Sequence, residues 1–316
     1  MTIYNVIVNP TSGRGKGEEV FPLVRKELTR LGLDFEMCRT DAPRHAIELA
    51  ETASNEGYEV VVAVGGDGTA NEVLNGLMLA KLRGQGKAAL GLISVGRGND
   101  FAYGVGTSPG LGDACRALAD RNQKTIDVGL STGGDYPEGR YFGNGVGIGF
   151  DAVVGFEALK MKRLHGFPSY IAAALKTIFL YFQAPTVRIE YQGETLVQPA
   201  LMVSVMNGRR LGGGFMMAPE SQIDDGSFDL TIVDQVGRAM MFALILRFMQ
   251  GSQVGHPAIK IARSAEITVT ADQGGIPAHA DGETLCEAGE QLELEIVPQA
   301  MEVIIPVKRQ NGDTQV

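Results

Sequence analysis

The sequence predicts two fold classes in series: an α/β first half built on a parallel sheet, then a β-rich, antiparallel, sandwich-like second half. Three observations carry this. Short apolar runs alternate with helix-period segments through the first 128 residues, as in repeated βαβ units. Glycine- and Asx-rich turns follow several of those runs directly. After the turn-rich break Gly133-Gly134-Asp135-Tyr136-Pro137, closely spaced strand-like runs dominate.

Ile3 to Val8 reads as a buried first strand. It runs into Asn9-Pro10-Thr11-Ser12-Gly13-Arg14-Gly15-Lys16-Gly17, a flexible loop rich in donors and cations. This is not a Walker A loop, because Gly17 stands where Ser or Thr is required. A helix is expected from Glu18 to Leu31, stopped by Gly32. Leu33 to Cys38 reads as a second strand, and Thr40 and Asp41 open a helix to Asn55 with Pro43 in its first turn.

Val60 to Asn75 organises the half. Val60 to Val64 is the apolar run of a strand buried on both faces. Gly65-Gly66-Asp67-Gly68-Thr69 follows at once, and Val73, Leu74, Leu77 and Met78 then recur at helical spacing. Glycines let backbone N–H groups approach an anion, and the helix aims its positive end at the same point. A nucleotide phosphate fits there. Asp67 would repel bare phosphate, so it is expected to act through a divalent cation or a substrate hydroxyl.

Leu90 to Val95 is a fourth strand, ending in Gly96-Arg97-Gly98-Asn99-Asp100-Phe101-Ala102. A helix at Leu111 to Ala119 and a strand at Thr125 to Leu130, carrying Asp127, complete the half. In an open parallel sheet, ligands gather at the carboxyl ends of strands, where the Asn9, Asp67 and Asp100 turns all lie. No Gly-x-Gly-x-x-Gly follows the first strand, which argues against a Rossmann dehydrogenase.

In the second half Phe142 to Asp151 is glycine-dense and extended. Helices are expected at Ala152 to Arg163 and Tyr170 to Phe182. Strands are expected at Thr186 to Tyr191, Thr195 to Asn207, Phe228 to Val233, Ile259 to Ile261, Glu266 to Thr270, Gln291 to Val297 and Glu302 to Val307. Asn207 to Gly214, Asp224-Asp225-Gly226 and Asp281-Gly282-Glu283 are polar constellations that read either as turns or as chemistry.

Composition narrows the function classes. Lys plus Arg is 28 and Asp plus Glu is 37, a net charge of −9, which argues against nucleic acid held by bulk charge. Cys38, Cys115 and Cys286 have no zinc spacing and suit a reducing cytoplasm. Met1-Thr2-Ile3-Tyr4-Asn5 reads directly as a strand, without the regions of a signal peptide. The apolar helical stretches Tyr170 to Phe182 and Ala239 to Met249 are too short to span a bilayer.

Taken together, Asn9-Pro10-x-Ser12-Gly13, Gly66-Asp67-Gly68-Thr69-x-Asn71-Glu72, Gly98-Asn99-Asp100-Phe101-Ala102, Asp127, Gly212-Gly213-Gly214, Asp224-Asp225-Gly226 and Asp281-Gly282-Glu283 resemble one family over nearly the whole chain. It is the diacylglycerol kinase and sphingosine kinase superfamily, and the bacterial diacylglycerol kinase-like lipid kinases in particular. The glycine turn alone is shared with NAD kinases and phosphofructokinases, whereas Asn-Asp-Phe-Ala with the late Asp-Gly-Glu is more specific.

The resemblance implies an ATP-binding domain over residues 1–128, a lipid-substrate domain over 129–300, and a cleft between them, with 301–316 returning to the first domain. It implies that ATP is held by Asn9, Pro10, Thr11, Ser12, Gly13, Thr40, Gly66, Asp67, Gly68, Thr69, Ala70, Asn71 and Glu72. Asp67, Asp100 and Asp127 match residues that organise a catalytic Mg2+ through waters. Asp225, with the carbonyls of Gln222 and Ser227, matches a second Mg2+ site. Asp281 or Glu283 matches the proton acceptor. Arg97 stands where the family commonly has Thr, so a hydroxyl contact is lost while a phosphate-binding cation is gained.

The implied reaction is ATP- and Mg2+-dependent phosphoryl transfer to a lipid hydroxyl such as that of diacylglycerol. Such transfer depends on charge neutralisation and in-line positioning. Lys160, Lys162, Arg163 and His165, with Arg14 and Lys16, are candidates for a basic patch that docks transiently on membrane. Met216, Met217 and Phe242 to Phe248 read as an acyl groove or as core. A homodimer is the default assembly. Two other readings stand beside this one: an NAD kinase or other soluble-substrate kinase, and a non-catalytic nucleotide- or lipid-binding homologue.

Overall fold

The structure, a computed structural model, describes residues 3–84, 86–96, 98–107, 109–161, 166–180 and 183–307. The first half runs β1 (Tyr4–Val8), α1 (Ser12–Arg30), β2 (Phe35–Arg39), α2 (His45–Asn55), β3 (Val60–Gly65), α3 (Asp67–Leu82), β4 (Ala89–Ser94), α4 (Asp100–Gly104), α5 (Leu111–Asp120) and β5 (Gln123–Gly133). The second runs β6 (Tyr136–Phe142), β7 (Gly145–Gly149), α6 (Phe150–Lys160), α7 (Phe167–Leu180), β8 (Thr186–Tyr191), β9 (Glu194–Met206), β10 (Phe228–Asp234), α8 (Arg238–Gln250), β11 (Ile259–Ser264), β12 (Glu266–Ala271), β13 (Ile276–Ala280), β14 (Glu283–Gly289) and β15 (Gln291–Ile304).

β2, β1, β3 and β4 lie side by side and parallel, with Tyr4 opposite Val60 and Val61 opposite Leu90. The valine run of β3 faces two cores. Val61 packs with Leu74 and Leu77 of α3, whereas Val60, Val62 and Val64 pack with Val24, Leu28 and Leu118 under α1 and α5. Each fully buried valine contributes about 1.5–3 kcal/mol.

The antiparallel second half follows the order β12, β8, β9, β7, β13, β14, with β10 on β9 and β11 on β10. Its core joins Phe142, stacked on Phe228, to Ile189, Val205 and Leu294. α6, α7 and α8 form a separate apolar cluster around Val154, Ile178, Leu244 and Phe248.

Several expected boundaries move. Gln291 to Val297 and Glu302 to Ile304 belong to one strand, bulged between Val297 and Met301, with Gln299 at φ 49, and the expected extension to Val307 lies beyond its end. One end of β15 pairs with β12 and the other with β4, at Val303 opposite Leu90, so this strand joins the halves. The expected boundaries at 128 and 300 fall inside β5 and β15. α1 starts at Ser12 and is kinked by Gly13, Arg14 and Gly15, all at positive φ. The helix expected from Thr40 starts at His45, after Arg44 at φ 68. Residues beyond 307 lie outside the described residues.

Candidate active site

The carboxyl ends of β1, β3 and β4 meet backbone to backbone. A Cβ on Gly96 would lie 2.3 Å from the Gly66 Cα, and a Cβ on Gly13 would lie 2.3 Å from the Val95 carbonyl. Only glycine permits this approach. The Asn9 Oδ1 accepts from the N–H and hydroxyl of Thr11, at 3.1 and 2.9 Å, while its Nδ2 donates to Thr69 Oγ1 at 3.0 Å. The Pro10 carbonyl accepts from the Glu18 N–H, and the Thr40 N–H donates to the Val8 carbonyl beside Asn9. Ser12 Oγ lies 3.6 Å from where a Cβ on Gly66 would stand. The Asn9 loop and the start of α3 are thus held side by side, with the Ala70 N–H already bonded to the Gly66 carbonyl at 3.0 Å.

Two residues expected at the nucleotide have their side chains committed to the protein. Glu72 caps α2, accepting from the N–H groups of Arg44 and Ala46 at 2.9 and 3.2 Å. Asn71 is fully buried and bonds the Tyr141 carbonyl, Asp281 and Arg140. Arg97 lies outside the described residues, as do Lys162, Arg163 and His165. Lys160 is described, and pairs with Glu157 at 2.7 Å.

Next to this turn stand buried carboxylates. Asp67 accepts from the N–H groups of Asn99 and Phe101 at 2.7 and 3.1 Å. Burial, aided by Asp281, pushes its pKa up to about 6. Asp100 meets the Gly213 N–H at 3.0 Å and Arg210 Nε at 2.9 Å. Burial and neighbouring Asp67 push it up to about 8. Within the run Gly212 to Gly214 it is the Gly213 N–H that donates to Asp100. Arg210 also lies over the Tyr103 ring, 3.8 Å from its centre.

The pair Asp281 and Glu283 separates. Asp281, at φ 49, accepts from the N–H groups of Gly143, Asn144 and Gly145 and from Asn71 Nδ2, at 2.7 to 3.2 Å. It anchors the turn into β7. Glu283 has no such shell; it sits 4.0 Å from Arg140, and burial raises its pKa. Its Oε1 lies 2.4 Å from where a Cβ on Gly68 would stand.

Asp127 is buried, and both its oxygens are engaged, with the Gly226 N–H at 2.6 Å and the Gln299 N–H at 2.7 Å. It ties the loop holding Gln222, Asp225 and Ser227 to the bulge of β15. Asp225 is ion-paired with Arg263, and Asp224 with Lys124. Neither Asp127 nor that loop lines the cleft that Asp67, Asp100 and Asp281 share.

Tyr170, Leu211 and Phe215 also line that cleft. On its far wall stand Asp151 and His279, which the sequence reading did not single out. No local spacing pairs them, because they are 128 positions apart in the chain. Asp151, Val154 and Phe215 also border a second cavity, lined by Met217, Leu244 and Phe248. Phe242 and Leu246 instead face outward, 38% and 58% exposed, so the expected acyl-groove stretch is split between cavity and surface.

Two family models match the chain: the diacylglycerol kinase catalytic domain over residues 4–131, and the YegS C-terminal NAD kinase beta sandwich-like domain over residues 144–305. The chain belongs to the diacylglycerol kinase-like family. It is a kinase, and as a member of that family it uses a nucleotide. A diacylglycerol kinase of Staphylococcus saprophyticus is 27% identical over 266 residues, 84% of each chain. One of Staphylococcus haemolyticus is equally similar, with 77% of its own length covered. A Bacillus anthracis diacylglycerol kinase structure superposes with TM-score 0.70 at 21% identity, covering 96% of both chains. Another from the same organism reaches TM-score 0.76 at 22% identity, covering 96% of this chain and 97% of that one. These likenesses show a shared fold.

Proposed function

We propose that this kinase transfers the γ-phosphoryl group of ATP to the hydroxyl of a lipid. The observation that carries the lipid reading is the adjacency of two spaces. The carboxylate cleft beside the glycine turn shares Asp151, Val154 and Phe215 with an apolar cavity walled by Met217, Leu244 and Phe248. A polar headgroup and an acyl chain fit that arrangement, whereas a soluble dinucleotide has no use for the apolar side.

The Asn9 to Gly13 loop and the Gly66 to Ala70 turn would take the nucleotide phosphates on backbone N–H groups at the start of α3. Asp67 and Asp100 suit Mg2+ because they are buried oxygen donors whose mutual repulsion a divalent cation relieves. The ion would neutralise charge on the phosphates. Asp127 would act on the same site by holding the neighbouring loop, and the Asp225 loop would hold any second Mg2+ only by giving up the Arg263 pair. Glu283 would orient the lipid hydroxyl and accept its proton late in transfer, since its carboxylate is uncommitted and reaches Gly68.

No helix among the described residues is long and apolar enough to cross a membrane. Access to lipid would come by peripheral contact through Leu175 and Phe179 of α7 and Leu246 of α8, which are exposed at 40%, 63% and 58%. The test is transfer of labelled γ-phosphate with Mg2+ into a mixed lipid extract in micelles, with NAD as control. A labelled lipid that disappears in Asp67→Asn is expected; label in NAD alone would overturn the lipid reading.

A further inference from the structure

Asp151, in the first turn of α6, and His279, on β13, face each other across Gly147 of β7. The Asp151 Oδ2 and His279 Nε2 are 3.6 Å apart, too far for a hydrogen bond. Glycine lets both side chains lie directly over β7: a Cβ on Gly147 would lie 2.1 Å from the Asp151 oxygen and 2.7 Å from the imidazole nitrogen. Among the described residues, the buried Asp151 Oδ2 has no hydrogen-bond partner. His279 is 9% exposed and lines the cleft. Each unmet buried polar group costs about 1–3 kcal/mol, an expense that a bound ligand would remove.

We propose that Asp151 and His279 hold a second polar group of the acceptor lipid, a free hydroxyl, beside the hydroxyl that takes the phosphoryl group. The proposal rests on the lipid-kinase reading and narrows its substrate class. One hydroxyl oxygen on the cleft side can sit within hydrogen-bond reach of Asp151 Oδ2 and His279 Nε2, donating to the carboxylate and accepting from the imidazole N–H. An ester carbonyl cannot donate, so it leaves Asp151 unpaired. The pair also stands where the polar cleft meets the apolar cavity, the level at which a lipid headgroup joins its chain. A site built to bond a hydroxyl discriminates strongly against analogues that lack it.

The experiment compares kcat/KM for a monoacylglycerol and a diacylglycerol of the same acyl length in detergent micelles. It uses wild type, Asp151→Asn and His279→Leu, with KM for ATP measured alongside. Wild type should prefer the monoacylglycerol at least about tenfold. Both variants should lose most of that preference through the monoacylglycerol rate alone, with KM for ATP unchanged. Lipid phosphorylation without preference in wild type, or variants that slow both acceptors equally, would overturn the proposal while leaving the lipid kinase standing. Wild type that phosphorylates no lipid would overturn both.

Discussion

The carboxylate of Glu283 occupies the space that a Cβ on Gly68 would fill, 2.4 Å from that position. The two residues come from opposite halves of the chain: Gly68 opens α3 and Glu283 opens β14. The contact brings the proposed base to the proposed phosphate turn.

Two substitutions follow from it. Gly68→Ala should displace the Glu283 carboxylate and cut kcat sharply, while stability changes by less than about 1 kcal/mol, because Ala favours a helix and a flexible side chain can yield. Glu283→Gln should lower kcat by about 10²–10⁴ with an unchanged melting temperature. Steady-state rates beside thermal melts check both. Near-full turnover in Glu283→Gln would remove the base assignment.

Asp281→Asn should behave in the opposite way. Its carboxylate receives four N–H donors, and an amide group turns one acceptor into a donor facing them. Bonds to a charged group are worth about 1.5–3 kcal/mol each, so urea unfolding should show a loss of several kcal/mol. An unchanged urea midpoint would show that Asp281 is not the anchor of this turn.

The buried carboxylates set a pH dependence. A carboxyl whose folded pKa is raised contributes stability in full below its unfolded value of about 3.9 and loses it as pH rises toward the folded value. For Asp67 that loss runs up to about 6 and for Asp100 up to about 8. Protein stripped with chelator should therefore melt at lower temperature at pH 8 than at pH 6. Asp100→Asn should lose less over that interval, and added Mg2+ should restore more at pH 8 than at pH 6. Equal Mg2+ effects at both values would count against Asp67 and Asp100 as its site.

The outward faces of α7 and α8 give a separate test. Phe179→Asp and Leu246→Asp replace exposed apolar groups and should leave the fold unchanged. Sedimentation with phospholipid vesicles should fall at least about threefold in each, because every buried methylene contributes about 0.8 kcal/mol to membrane contact. Equal sedimentation of wild type and variants would mean that this face does not touch lipid.

Local pattern alone made much of the fold readable. The valine run of β3, the glycine turn and the period of α3 are contiguous in sequence, and so were visible as one strand–turn–helix unit. The alternating burial of β8 was equally legible, in a strand whose expected limits coincide with the observed ones. The kink at Gly13 to Gly15 was not, since it follows from how close β1 and β4 bring their ends. The joining of two expected strands into β15 was also hidden, because a bulge held by Asp127 looks in sequence like a break.

The sequence by itself determined which residue types bear chemistry: the glycine turn, the carboxylates and the late Asp-Gly-Glu. Only the tertiary structure decided what each carboxylate does, because the deciding partners are distant in the chain. Asp281 is tied to N–H groups 136 to 138 positions away, and Asp127 to groups 99 and 172 positions away. Glu283 is left without a hydrogen-bonded shell and meets Gly68. Asp151 and His279 acquire meaning only because β7 and β13 pair and Gly147 lets both side chains lie over the sheet. Hydrogen bonding is short-ranged, so the role of a carboxylate depends on the neighbours that folding brings within about 3 Å.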